Sequence, residues 1–93
     1  MHETENHHPL MQGPSFKDFW ERRGLTPKEV DGWTVPLDKD VHQGMEKAGW
    51  WQDHLLGEIE RQEALNGGEP LGKDEVIDIA KDLLKEVEKW SPK

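Results

Sequence analysis

The stretch Asn66-Gly67-Gly68-Glu69-Pro70 can only be a loop, and it divides the chain into two unlike parts. Behind it, Val76, Ile77, Ala80, Leu83, Leu84 and Val87 recur at spacings of three and four. That is the apolar stripe of an amphipathic helix, predicted over 74–90, with Pro92 just past its end. In front of the loop the chain is cut short repeatedly. Gly13-Pro14, Gly24, Pro27, Asp31-Gly32 and Pro36 each break or start an element.

The pieces between these breaks have recognisable grammar. Residues 1–6 read as a frayed lead-in, followed by a short extended piece over 7–12, because Pro9 disfavours helix at His8. Ser15 reads as an N-cap, with Asp18 at the third helical position. Phe16, Phe19 and Trp20 form one stripe, more readily core than a base-stacking platform, and Gly24 stops the helix. Thr26-Pro27-Lys28-Glu29 repeats the start pattern and predicts one turn before a tight turn at Asp31-Gly32. Trp33-Thr34-Val35 is the strand candidate, and Pro36 makes it an edge strand or ends it.

Asp38 is expected to cap a helix carrying Val41, His42, Met45 and Glu46, weakened by Gly44 and Gly49. Trp50, Leu55, Leu56 and Ile59 then resume an apolar stripe as far as about Leu65. Trp50 and Trp51 cannot both face one way on a helix, so one is expected to pack inward. Residues 66–72 connect to the last helix. The sum is a mainly helical α+β fold with a small hairpin-like β element, a single domain over 1–93.

Composition matters here for what it removes. The 93 residues include no Cys, so disulfides, thiolate zinc sites and thiol nucleophiles are excluded, and any transition metal must be held by His and carboxylate. The chain is polar, 32% hydrophobic against 34% charged, yet its five Trp and two Phe argue for a folded core rather than disorder. No apolar run approaches a membrane span. The first ten residues are polar and acidic, unlike a secretory signal. The expectation is a cytoplasmic chain as written, or one delivered or secreted as a fragment of a larger protein. Net charge is −8, awkward for a nucleic-acid enzyme. Lys17, Arg22, Arg23 and Lys28 nevertheless cluster, and would form a phosphate clamp if they border the chemistry.

The chemistry-bearing residues are few. His7 and His8 are adjacent imidazoles that can point in different directions, so one can hold a metal while the other takes a proton. His42 and Glu46 lie four apart and share a face of a helix, the spacing by which a helix offers two ligands to one ion. A cation plus one general-base His is a sufficient minimum for hydrolysing a phosphodiester. His54 is a further candidate ligand if a break at Gly49 turns it inward. Each has a plainer alternative: a surface dipeptide for His7-His8, a carboxylate-bonded imidazole for His42, a solvated side chain for Glu46, a solvated face for the basic cluster. Asn66 to Pro70 looks purely connective.

Four motifs in order carry a resemblance. They are the doubled His at 6–10; Phe-x-x-Phe-Trp-x-x-Arg-Gly at 16–24; Thr-Val-Pro-Leu-x-x-x-x-His within 33–42; and Gly-Trp-Trp at 49–51. This order resembles the HNH, or His-Me finger, nucleases, and among them the bacterial polymorphic-toxin and predicted-lipoprotein families with a doubled His. The helix over 74–90 is similar to their terminal helix. The resemblance implies a ββα-metal core, with His7 and His42 as metal ligands and His8 as the general base. Those families often place another His one turn after the ligand on the helix; here Glu46 stands near that place, followed by Lys47.

A Glu oxygen there suits Mg²⁺, Mn²⁺ or Zn²⁺, and harder ions than an all-His site would. The resemblance further implies DNA or RNA as substrate and a cognate immunity (inhibitor) protein as partner. Two other outcomes compete with a nuclease. One is a catalytically degenerate relative whose acidic surface binds a basic protein. The other is a small helical domain in which the histidines are incidental.

Overall fold

The segment Thr4–His7 is polar throughout, yet it forms a strand (β1), because its alternate residues face different surroundings. Glu5 and His7 share one side and are half-buried and buried; Thr4 and Asn6 face outward, exposed. The computed structural model describes residues 3–87. Its order is β1, α1 (Pro14–Glu21), α2 (Pro27–Gly32), β2 (Val35–Asp38), α3 (Lys39–Ala48), α4 (Trp50–Leu65) and α5 (Lys73–Val87). The protein is thus a mainly helical α+β domain with one two-stranded antiparallel sheet.

The strands pair in the register Thr4↔Asp38, Glu5↔Leu37, Asn6↔Pro36 and His7↔Val35. A further bond, Lys39 N–H to the Glu3 carbonyl at 2.9 Å, continues the ladder into the first residue of α3. Glu5, His7, Val35 and Leu37 therefore line one side of the sheet, the less exposed one. α3 packs against both strands. The sheet is not a hairpin of neighbours, since α1 and α2 are inserted between its strands.

Several expectations need correction. The lead-in predicted over 1–6 is a strand from Thr4 onward; residues 1–2 lie outside the described part. The strand expected at 33–35 begins at Val35 and runs through Pro36. A two-stranded sheet leaves each strand an open edge, where a missing N–H costs nothing. α1 starts at Pro14, not after a Ser15 cap: Gly13 precedes it at φ 114, no side chain caps it, and Pro occupies the first turn. Asp38 precedes α3 without a side-chain cap bond. Asp31 and Gly32 are the last residues of α2 rather than a tight turn.

The Thr26 cap is as expected, its hydroxyl accepting the Glu29 N–H at 3.2 Å. Gly44 is absorbed inside α3, whereas Gly49, at φ 69, breaks the helix and lets α4 leave in a new direction. The loop over 66–72 and the helix after it also lie where expected, the last three positions of 74–90 falling outside the described residues.

One apolar cluster joins these elements. Leu10, Trp20, Leu25 and Val30 come from the front half, Met45 from α3, Trp51, Leu55 and Ile59 from α4, and Leu71, Val76, Ile79, Ala80 and Val87 from the loop and α5. Trp51 is the inward member of the Trp pair, and Trp50 is half-buried. Among the described residues, no helix is long and apolar enough to cross a membrane.

Candidate metal centre

Two neighbouring surfaces bring the site together. β1 ends in His7, and the first turns of α3 carry His42 and, one turn on, Glu46. Met45, fully buried between them in sequence, anchors that part of α3 to the core. The result is a group in which His7, His42 and Glu46 each offer one ligand atom within 4.8 Å of the others. Glu46 Oε1 is the meeting point, 3.4 Å from His7 Nδ1 and 3.4 Å from His42 Nε2. Two donors each about 2.1 Å from one ion at a tetrahedral angle sit about 3.4 Å apart.

His7 carries the strongest constraint. It is 1% exposed, and neither ring nitrogen has a hydrogen-bond partner. The 3.4 Å contact with Glu46 is not a hydrogen bond. Buried polar groups are almost always satisfied, so an imidazole left with nothing is the kind of exception that an ion explains. Burial pushes the His7 pKa down to about 4, with smaller contributions from the charges of His42 and His8. It is therefore neutral near pH 7 and has a lone pair to give.

His42 is held from behind. Its Nδ1 lies 2.9 Å from Glu5 Oε1, and Gln43 Nε2 donates to the other Glu5 oxygen at 3.3 Å. The bond to His42 holds the Glu5 carboxyl below the usual carboxylate range. With a proton on Nδ1 shared with Glu5, the His42 Nε2 lone pair faces Glu46 and His7. Carboxylate behind, imidazole between and open nitrogen in front is how ligating histidines are usually oriented. His42 is thus bonded to a carboxylate, as its plainer alternative held, but through the nitrogen that leaves the other free. Glu5 was not among the residues the sequence singled out. Its standing two before His7 on a strand was the available clue, and it needed the strand to be recognised first.

The other predicted residues divide. His8, just past the strand, is half-buried and outside the three-residue group. His54 is not brought to it. Its ring stacks on Trp50 with centroids 4.4 Å apart, its Nδ1 bonds the Trp50 carbonyl at 2.8 Å, and it is exposed. The break at Gly49 does turn α4, but it presents Trp51 to His7 instead.

Arg23 is withdrawn from any phosphate clamp. It is 8% exposed, paired through two nitrogens to both oxygens of Glu63 at 2.7 Å, bonded to the Phe19 carbonyl at 2.8 Å, and laid over the Phe19 ring. Lys17, Arg22 and Lys28 remain exposed on α1, its end and α2. Compared with family models, curated proteins and solved structures, the chain finds no match in any of the three.

Proposed function

We propose that the protein is a metal-dependent endonuclease of HNH type that hydrolyses phosphodiester bonds in DNA or RNA, acting as a bacterial toxin module. The observation that carries this reading is the buried, unpartnered imidazole of His7 facing His42 and Glu46. The chain path supports it too. A strand ending in His7, the first of the doubled His, an antiparallel partner reached after α1 and α2, and a helix carrying His42 and Glu46 follow in the order that a ββα-metal core would need. A cognate inhibitor protein belongs to the same proposal.

Each residue then has a role. His7, His42 and Glu46 hold one Zn²⁺, Mg²⁺ or Mn²⁺. Bound there, the ion offsets the charge of the phosphate oxygens and stabilises the leaving oxygen. Glu5 fixes the tautomer and direction of His42. His8, just past the strand, is not consumed in the group that His7 joins. Half-buried, His8 has access to water and takes its proton as the water attacks phosphorus. Lys17, Arg22 and Lys28 are the exposed cations left to meet the nucleic-acid backbone.

A second reading keeps the fold and loses the reaction, leaving an acidic surface for a basic protein partner. The net charge of −8 favours it, as does the loss of Arg23 from the basic cluster to Glu63. Incubation of plasmid DNA and of RNA with the protein and Zn²⁺, Mg²⁺ or Mn²⁺ separates the two. The nuclease reading expects cleavage that falls by a factor of about 10²–10⁴ in His8→Ala. Intact substrate under every ion, with the ion bound, leaves the second reading standing.

A further inference from the structure

The chain that leaves β1 is held by two indoles from different helices. Trp20 of α1 donates its Nε1–H to the Met11 carbonyl at 2.9 Å. Trp51 of α4 donates its Nε1–H to the Pro9 carbonyl at 2.8 Å. Both tryptophans are buried, 2% and 3% exposed. They differ in the ring each meets, which for Trp20 is Phe19, edge-on with centroids 4.8 Å apart. The Trp51 ring also stands edge-on to the His7 imidazole, with centroids 4.6 Å apart and planes at 84°.

Trp51 therefore grips the chain on both sides of His8. Before it, the indole fixes the side chain of His7; after it, the indole N–H fixes the carbonyl of Pro9. The proline ring locks its own φ, so little freedom remains for the backbone between these points. We propose that Trp51 is the positioning residue of the site, aiming the His7 ring at Glu46 and His42 and setting the backbone from which His8 projects. The consequence for catalysis rests on the metal-dependent reading above; the grip itself does not.

The sequence supports this arrangement locally. Gly49 sits at φ 69, a conformation that side chains rarely adopt, and it swings the start of α4 so that position 51 meets the end of β1. Leu55, one turn on and fully buried, keeps that face of α4 against the core. Small displacements matter at such a site, because a misplacement of about 1 Å can cost on the order of a hundredfold in rate.

Trp51→Phe and Trp20→Phe give a matched test. Each keeps an aromatic ring and loses one indole bond to the same segment, so each is expected to lower Tm. Three readouts are compared: histidine side-chain NMR spectra of the metal-free proteins, the affinity for Zn²⁺ or Mn²⁺ alone, and kcat against KM for cleavage. A low melting point is offset by adding sucrose, which favours the folded state.

In Trp51→Phe the His7 and His8 resonances broaden or double, ion affinity falls about tenfold to a hundredfold, and kcat falls with KM little changed. In Trp20→Phe the histidine spectrum and ion affinity match wild type. Histidine resonances and ion affinity that are the same in both variants overturn the proposal. If the wild type takes up no ion, the metal-dependent reading fails, while the NMR comparison still decides whether Trp51 positions the histidines.

Discussion

Two buried polar groups at opposite ends of the fold's logic, Arg23 and His7, are treated in contrasting ways. Arg23 ends the α1 region with every face occupied: a bidentate carboxylate, a carbonyl and an aromatic ring. Its partner Glu63 is itself tied to the Leu71 N–H at 3.0 Å, so the pair joins α1, α4 and the loop before α5. His7 ends β1 with no hydrogen-bond partner on either ring nitrogen. A satisfied buried charge is a fastener. An unsatisfied buried imidazole beside a second imidazole and a carboxylate is a group that could hold a metal ion. The contrast separates a cation that the sequence made look functional from a histidine that the fold makes look so.

The largest expected effect lies on the fastener side. Glu63→Ala strands a buried guanidinium and should destabilise the protein by about 3–5 kcal/mol in urea or thermal unfolding. A loss under about 1 kcal/mol would mean that Arg23 simply swings into solvent, and the contrast would blur.

Next is the pH dependence of the metal-free protein. His7 has a folded pKa of about 4 against an ordinary 6.5, so the unfolded chain takes up the proton first as pH falls. Its contribution is complete above pH 6.5, is lost between pH 6.5 and 4, and levels off below. The loss should amount to roughly 3 kcal/mol. Subtracting the same curve for His7→Leu isolates it from the carboxylates that titrate lower; parallel curves would place His7 in water.

His7→Leu also has a sign that Arg23 cannot share. Removing two orphaned ring nitrogens from a buried site should stabilise the metal-free protein at pH 7 by about 1–3 kcal/mol. An equal loss instead would show that His7 has partners in solution. The smallest effect is at Glu5. Glu5→Ala should weaken Zn²⁺ or Mn²⁺ binding about tenfold while leaving the unfolding midpoint close to wild type, since a half-exposed carboxylate adds little stability. Unchanged ion affinity would remove Glu5 from the site.

The same contrast explains what the sequence could reveal. Local, apolar features were legible: the stripe of α5, the run from Trp50 to Leu65, the loop over 66–72 and the Thr26 cap all follow from residues within one turn of each other. β1 was not, because its inward positions are Glu5 and His7, and a strand whose buried face is polar has no apolar alternation to show. The Arg23–Glu63 pair joins residues 40 apart, and Glu5–His42 residues 37 apart, separations that no local pattern encodes. His7, His42 and Glu46 were legible as candidates from residue type and spacing. His54 was not excluded, because the turn at Gly49 decides which side of α4 faces His7.

The measurement closest to the central claim is calorimetric titration of the metal-free protein with Zn²⁺ and Mn²⁺, run beside His7→Leu and His42→Ala. The account predicts one equivalent of ion bound by the wild type, with binding lost in both variants although His7→Leu remains folded. A wild type that binds no ion, or one whose binding survives His7→Leu, would contradict it.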